Sequence, residues 1–300
     1  MLSVIICTYN RDRYIYNVLK SISDNDFPLT EYEIVLVNNN SNDNTEKECR
    51  RFQADCSGVN FRYFVETQQG LSYARNKGIT EAYGDVLIYV DDDATVNEEY
   101  LRTYADFFDT YEAVAAAGGA IMPVYETEPP RWMSRFTCQL MTGYLYCGEA
   151  VKKFKSGRFP TGGNVAFRRD VFEQVGVFNP ELGRKGNNLM GAEEKDIFDK
   201  MTAAGMQFYY LPTAILYHII PACRLTEDFF NRLSYGVGQS ERMRTLAISK
   251  TKFAKRIMIE LFKWGASVVL WLGYLLRGQY PKGQKIIAFR WNVTRGLLSW

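Results

Sequence analysis

Four short apolar runs, each followed by a polar stretch, punctuate the first third of the chain and restrict what it can fold into. Residues 2–7 form a nearly continuous apolar run, the pattern of a strand buried on both faces. Residues 33–37 repeat it, 61–65 read as a third strand, and 86–90 form a fourth buried run that ends in three aspartates. Between them lie helical patterns. Ile15, Val18, Leu19 and Ile22 give residues 14–22 a helical stripe, a helix opens near Thr45 after the polar loop 38–44, and residues 71–83 read as a third. Strands that are apolar on both faces need cover on both, which repeated β-α units supply as a parallel sheet with right-handed crossovers.

The second half is less regular. Residues 114–124 predict a strand, broken by Pro129-Pro130-Arg131-Trp132. Residues 158–169 read as a strand passing through Gly162-Gly163. Residues 192–204 predict a helix with Ile197 and Met201 on one face, stopped by Gly205. Two strand-like pieces follow at 208–211 and 215–220. The fold expected is α/β: a Rossmann-like, mostly parallel sheet with helices on both faces, a small mixed sheet, and a C-terminal helical extension. The domain division expected is 1–240, split into a nucleotide-binding half at 1–113 and an acceptor half at 114–240, followed by a tail at 241–300.

Charge sharpens that division. The net charge is only +2, which argues against nucleic acid as the main partner. Residues 242–300 hold 12 Lys/Arg against one acid, Glu260, which leaves 24 basic and 33 acidic residues for 1–241. The body is therefore near −9 and the tail near +11, a split that marks two jobs. The six cysteines show no C-x-x-C pair or metal-ligand spacing, and Cys7 sits in an apolar run as a small buried hydrophobe. The opening residues carry no basic n-region or cleavage site, so the expectation is a reduced cytosolic compartment.

Ligands of an open parallel sheet bind beyond the carboxyl ends of its strands. Here those ends carry Thr8-Tyr9-Asn10-Arg11, Asn38-Asn39-Asn40-Ser41-Asn42-Asp43 and Asp91-Asp92-Asp93. Together they offer an aromatic face, amides and carboxylates, a set suited to a nucleobase, a ribose and a metal-bound diphosphate. Three adjacent carboxylates repel one another unless a cation or proton intervenes. A divalent Mn²⁺ or Mg²⁺ resolves the conflict and bridges to phosphate oxygens; the plainer alternative is that these acids cap the next helix. Glu193-Glu194-Lys195-Asp196 is a second acidic cluster at a helix head, where it would also complement the helix dipole. Gly162-Gly163-Asn164 permits close backbone approach to a ligand or marks a bulge. His218 is the only histidine, which excludes any two-histidine metal site.

The chain resembles the family 2, GT-A-fold inverting glycosyltransferases over residues 1–240. The motifs that carry the likeness are SVIICTYNR at 3–11, VNNNSNDNT at 37–45, GLSYARNKGI at 70–79, DVLIYVDDDA at 85–94, GGNVAFRRDVFEQVGVFNPEL at 162–182 and GAEEKDIFDKM at 191–201. The resemblance implies a nucleotide-sugar donor, UDP-linked by default, and a saccharide or lipid-linked acceptor in cell-surface polysaccharide or glycolipid synthesis. It implies that Thr8, Tyr9, Asn10 and Arg11 belong to the nucleotide site, with Tyr9 against the base, Asn39 at its edge, Arg75 facing the nucleotide and Asp92 on the ribose. Asp93 would hold the metal, supported by Asp91, with His218 at the metal or diphosphate. Glu194 matches the general-base position, where Asp is commoner in the family, and Glu193 is its neighbour. Gly163 and Asn164 would line the donor-sugar and acceptor side, with Trp132 as an acceptor platform or a core residue. The family often has Asp where this chain has Asn38, which bears on base preference.

In the tail, Ile257, Leu261, Trp264, Val268, Trp271, Leu272 and Leu275 alternate with Lys252, Lys255, Arg256, Lys263 and Arg277. The longest uncharged stretch, 264–276, is shorter than the roughly 20 residues a spanning helix needs, so the expectation is a helix lying on an anionic membrane surface. A helix packed on protein is the alternative. That reading makes the enzyme peripheral on the inner face of the cell membrane.

Rival functions are a nucleotidyltransferase and a non-catalytic, membrane-associated nucleotide-sugar-binding protein. The first lacks a Gly-rich, Arg/Lys-bearing loop after strand one, and the second leaves the two acidic clusters unexplained. No G-x-G-x-x-G follows the first strand and no G-x-S-x-G occurs, which disfavours a dehydrogenase and a serine hydrolase.

Overall fold

Every residue of 32–38 is buried, which is why that stretch is a central strand and not a helix. The computed structural model describes residues 1–155, 157–186 and 188–299. Its elements run β1 (Leu2–Thr8), α1 (Asp12–Ser23), β2 (Tyr32–Asn38), α2 (Thr45–Asp55), β3 (Phe61–Val65), α3 (Leu71–Glu81), β4 (Val86–Asp91), β5 (Ala94–Val96), α4 (Tyr100–Thr110) and β6 (Ala116–Tyr125). Then come α5 (Arg135–Thr142), β7 (Lys152–Lys153), β8 (Asn164–Arg168), α6 (Asp170–Val175), α7 (Glu193–Ala203), β9 (Phe208–Ile220), α8 (Glu227–Ile248), α9 (Lys250–Leu276) and α10 (Tyr280–Leu298). The chain divides into two compact units. One comprises 1–124, 143–180 and 194–219; the other comprises 125–142, 181–193 and 220–300.

In the first unit, the described strands form one nine-stranded sheet with the order β3-β2-β1-β4-β8-β6-β9-β5, and β7 pairs with β9. The pairs β1–β2, β1–β4 and β2–β3 are parallel, as the β-α repeats require. The later strands β8, β5 and β7 pair antiparallel, so the expected mixed strands extend the same sheet and do not form a separate one. Register places Thr8 opposite Asn38, and Cys7 opposite both Val37 and Asp91, so three polar loops leave the sheet at one level.

Two expected strands differ from the observed ones. The strand expected through 158–169 begins only at Asn164, because Gly162-Gly163 lie in a turn closed by Asn164 N–H on the Thr161 carbonyl (2.9 Å). The pieces expected at 208–211 and 215–220 are one strand, β9, running through Pro212. Proline has no N–H for a ladder, and Pro212 falls between the residues that pair with β7 (209–210) and those that pair with β5 (216–218).

The second unit is helical. Trp132, Met141, Phe230 and Leu233 form its apolar core. Gly238 of α8 and Gly296 of α10 let the two helices touch, since a Cβ on either would run into the other's backbone. Thr226 caps α8 through Phe229 N–H (3.2 Å), and Ser249 caps α9 through Lys252 N–H (3.0 Å). An ion cluster joins three helices: Arg256 Nε to Glu241 (2.9 Å), Arg256 Nη1 to Glu260 (2.8 Å), and Arg290 Nη1 to Glu260 (2.9 Å). Burial would raise the Glu260 carboxyl, but its hydrogen bonds from Arg256 and Arg290 prevail and hold it below the usual range. At 27 residues α9 is longer than its uncharged stretch. By length and composition it is long and apolar enough to cross a membrane, which corrects the expectation that this segment is too short.

Candidate active site

The site is assembled on the ends of β1, β2 and β4 and on the turn before β8. Tyr9, the residue after β1, is 39 % exposed and so open to a planar ligand. Asn10 takes up a positive φ of 53°, a conformation Asn tolerates better than most residues. Its N–H donates to Ser41 Oγ (2.9 Å) and its side-chain carbonyl accepts from Asn42 N–H (2.9 Å), which ties the first loop to the second. Thr8 adds a third tie, its carbonyl accepting from Asn39 N–H (2.8 Å).

Asn39 is buried, and its side chain holds the loop before α3. It donates to the carbonyls of Glu66 (3.0 Å) and Gln68 (2.8 Å) and accepts from Gly70 N–H (2.8 Å). Asn164 is likewise turned into the core. It accepts from the hydroxyls of Tyr100 (2.7 Å) and Tyr104 (2.8 Å) and donates to the carbonyls of Ala120 (2.8 Å) and Ala214 (3.0 Å). The structure therefore does not bring the Asn164 side chain to a ligand-facing surface. Asn164→Ala would strip partners from two hydroxyls and two carbonyls, all inside the first unit. We expect it to cost roughly 3 kcal/mol of stability, read as a lowered Tm, with nucleotide binding kept below that Tm.

The acidic triplet is divided in its roles by geometry. Asp91, Asp93 and His218 present ligand atoms that all lie within 4.8 Å of one another. His218 Nε2 is 3.1 Å from Asp93 Oδ1, because β5 pairs Ala94 with His218 and carries the residue after Asp93 to that point of β9. Two carboxylates and an imidazole fit a divalent cation: the oxygens suit Mg²⁺ or Mn²⁺, and the nitrogen tilts the set toward the transition metal. Arg11 approaches the same cluster, 3.6 Å from Asp92 and 3.4 Å from Asp93. Burial pushes the Asp92 carboxyl up to about 6, against the pull of Arg11 and with repulsion from Asp93 and Asp91. Desolvation also pushes the Cys7 thiol up to about 12, which keeps this neighbour of the cluster a neutral hydrophobe near pH 7.

Arg75 and Glu194 form an ion pair of 3.0 Å, a partnership not legible in the sequence. The Arg75 guanidinium is nearly buried, lies over the rings of Phe178 (5.2 Å) and Tyr89 (5.7 Å), and donates to the Gly162 carbonyl (3.3 Å). Glu194, near the head of α7, keeps about a quarter of its side chain in solvent. Glu193 is buried, and Trp132 is buried in the helical core against Phe230 at 5.3 Å.

The glycine pair explains how two acidic groups come so near one turn. A Cβ at Gly162 would collide with the Glu194 carboxylate, and one at Gly163 with the Asp91 carboxylate. Neither glycine has a positive φ, so it is space that requires them. The two alanine variants should therefore fail differently. Gly163→Ala displaces a short, strand-anchored carboxylate and should weaken Mn²⁺ binding by about tenfold or more. Gly162→Ala pushes the long Glu194 side chain aside and should lower turnover with little change in the metal titration. Isothermal titration with Mn²⁺ beside initial rates separates the two.

Comparison with known proteins bears on the family and the fold. The family model described as Glycosyl transferase family 2 matches residues 3–176. A glucosyl-dolichyl phosphate glucuronosyltransferase of Haloferax volcanii is 27 % identical over 250 residues, covering 81 % of this chain and 77 % of that protein. Among solved structures, the mannosyltransferase PcManGT from Pyrobaculum calidifontis, in complex with GDP-Man and Mn²⁺, superposes with a TM-score of 0.64 at 17 % identity. It covers 99 % of this chain and 87 % of that one. TarS 1–349 of S. aureus, in complex with UDP-GlcNAc, gives a TM-score of 0.58 at 18 % identity, with 98 % and 90 % covered. These two structural likenesses concern the fold.

Proposed function

From the premise that the chain belongs to glycosyl transferase family 2, we propose that this GT-A glycosyltransferase is metal-dependent and inverting, and moves a sugar from a nucleotide-sugar donor to an acceptor hydroxyl. A UDP-sugar is the donor we favour. A lipid-linked saccharide is the acceptor class we favour, since the archaeal relative is named for a glucosyl-dolichyl phosphate substrate. The observation that carries the reading is the turn at 162–163, where adjacent glycines receive one carboxylate of a cation ligand set and one carboxylate ion-paired to a buried arginine.

Each group then has a task. Tyr9 stacks on the base, and Asn10 and Asn39 fix the loops around it. Asp92 takes the ribose hydroxyls. Asp91, Asp93 and His218 would hold the cation. When bound, that cation offsets the charge of the diphosphate and of the nucleoside diphosphate that leaves. Arg11, already against Asp92 and Asp93, adds positive charge on the same side. Glu194 accepts the proton of the acceptor hydroxyl as that oxygen attacks the anomeric carbon from the face opposite the departing diphosphate. Arg75 is a positioning residue: its ion pair at 3.0 Å holds the Glu194 carboxylate in place. One displacement leaves the product inverted, with no covalent enzyme intermediate.

The test is nucleoside diphosphate release from a panel of nucleotide sugars, with Mn²⁺, with Mg²⁺ and with EDTA. Metal-dependent turnover of one donor, with an inverted product by NMR once an acceptor is supplied, is the expected result. Pyrophosphate release would favour a nucleotidyltransferase, and failure of every donor even to bind would sink the reading.

A further inference from the structure

We propose that the outer face of α9 lies against a lipid bilayer surface, with its apolar side chains among the acyl chains and its flanking lysines on anionic headgroups. By the standards of a helix in water, α9 is inside out. The side chains it buries are Arg256, Glu260 and Ser267, on one face at intervals of four and seven residues. The face turned outward carries Met258, Phe262, Val269, Leu272 and Leu276, spaced by four, seven, three and four residues. Phe262 is 81 % exposed, Val269 68 % and Leu276 89 %. A contiguous apolar face of this kind, with Arg256 and Glu260 folded inward onto Glu241 and Arg290, is the pattern of a helix whose surroundings are apolar.

Charge identifies the occupant. Lys250, Lys252, Lys255, Lys263 and Arg277 are all exposed along or beside this helix, and the only acid from 242 onward, Glu260, is buried. A second copy of this chain would bring the same cations face to face, whereas an anionic lipid surface meets them with opposite sign. The placement is in the plane of the membrane. Lys263 stands at the midpoint of the helix, one turn from Glu260 and Ser267 on its inner side, and keeps exposed surface, so a helix lying flat on its apolar face leaves this ammonium on the side away from the acyl chains. Lying flat, the same side chain reaches water along its own methylenes. None of this depends on the proposed activity: it rests on the helical unit alone.

Vesicle flotation tests it without a donor or an acceptor. Full-length protein, purified in mild detergent and diluted into phosphatidylglycerol–phosphatidylcholine vesicles, should float with them. Partitioning should fall by about tenfold in pure phosphatidylcholine or in high salt. Phe262→Asp with Val269→Asp should lower it by about tenfold or more, because both charges enter the apolar face. Leu29→Asp, at an exposed apolar site in the first unit, should not. Lys250, Lys252 and Lys255 changed together to Gln provide a second variant that touches no packing. Circular dichroism verifies that each variant is folded. Absence of flotation, flotation indifferent to salt and to the Asp pair, or a soluble dimer by light scattering that Phe262→Asp dissociates would each overturn the proposal.

Discussion

Glu194→Gln is expected to lower transfer by about 10²- to 10⁴-fold while leaving donor affinity unchanged, since in the proposed mechanism it removes the acceptor of the hydroxyl proton. The amide is isosteric and still fits over Gly162, so the turn keeps its shape. It also deprives Arg75 of its counter-charge. Removing one partner of a fully buried pair costs about 3–5 kcal/mol, but Glu194 is partly in solvent and the loss here should be well below that range. A fall in kcat with an unchanged donor KM and a modest drop in Tm is the expected profile. Equal losses in donor binding and turnover would mean that Glu194 serves the donor and not the proton.

Asp93→Ala should be as damaging by a different route. Asp93 meets His218 at 3.1 Å and Arg11 at 3.4 Å, and belongs to the Asp91–Asp93–His218 group, so its loss leaves one carboxylate and one imidazole. Stabilisation of charge by a bound metal is worth several kcal/mol, so turnover with Mn²⁺ should fall by about 10²- to 10⁴-fold. A thermal measurement gives an independent readout. Wild type should gain about 2.7 kcal/mol of stability at a metal concentration a hundredfold above Kd, and the variant should gain almost none. If Mn²⁺ stabilises the variant as well as wild type, the cation is held elsewhere.

Much of the fold could be read from residue order. Nearly continuous apolar runs at 2–7 and 34–37 read as strands covered on both faces, and both are buried in the sheet. The acidic end of β4 was visible too, because three carboxylates after an apolar strand are conspicuous by their repulsion. What could not be read were relations between distant residues. Nothing local in Tyr100, Tyr104 or Asn164 announces that they share hydrogen bonds across 60 to 64 positions. The resemblance placed Arg75 at the nucleotide and Glu194 at the base position, but nothing in either segment announces that the fold sets them 3.0 Å apart. Pro212 reads locally as a strand breaker, and only the change of partner along β9 explains why it is tolerated. In α9 the alternation of apolar and basic residues was plain, but counting uncharged residues understated a helix whose Arg256 and Glu260 pair with each other on its inner side.

The ion pair between Arg75 and Glu194 also sets how much freedom the turn at 162–163 has. Arg75 reaches Glu194 at 3.0 Å and the Gly162 carbonyl at 3.3 Å, and the Glu194 carboxylate fills the space a Cβ on Gly162 would need. One guanidinium thus pins a side chain and the backbone beneath it together, so neither shifts without breaking a bond to the same arginine.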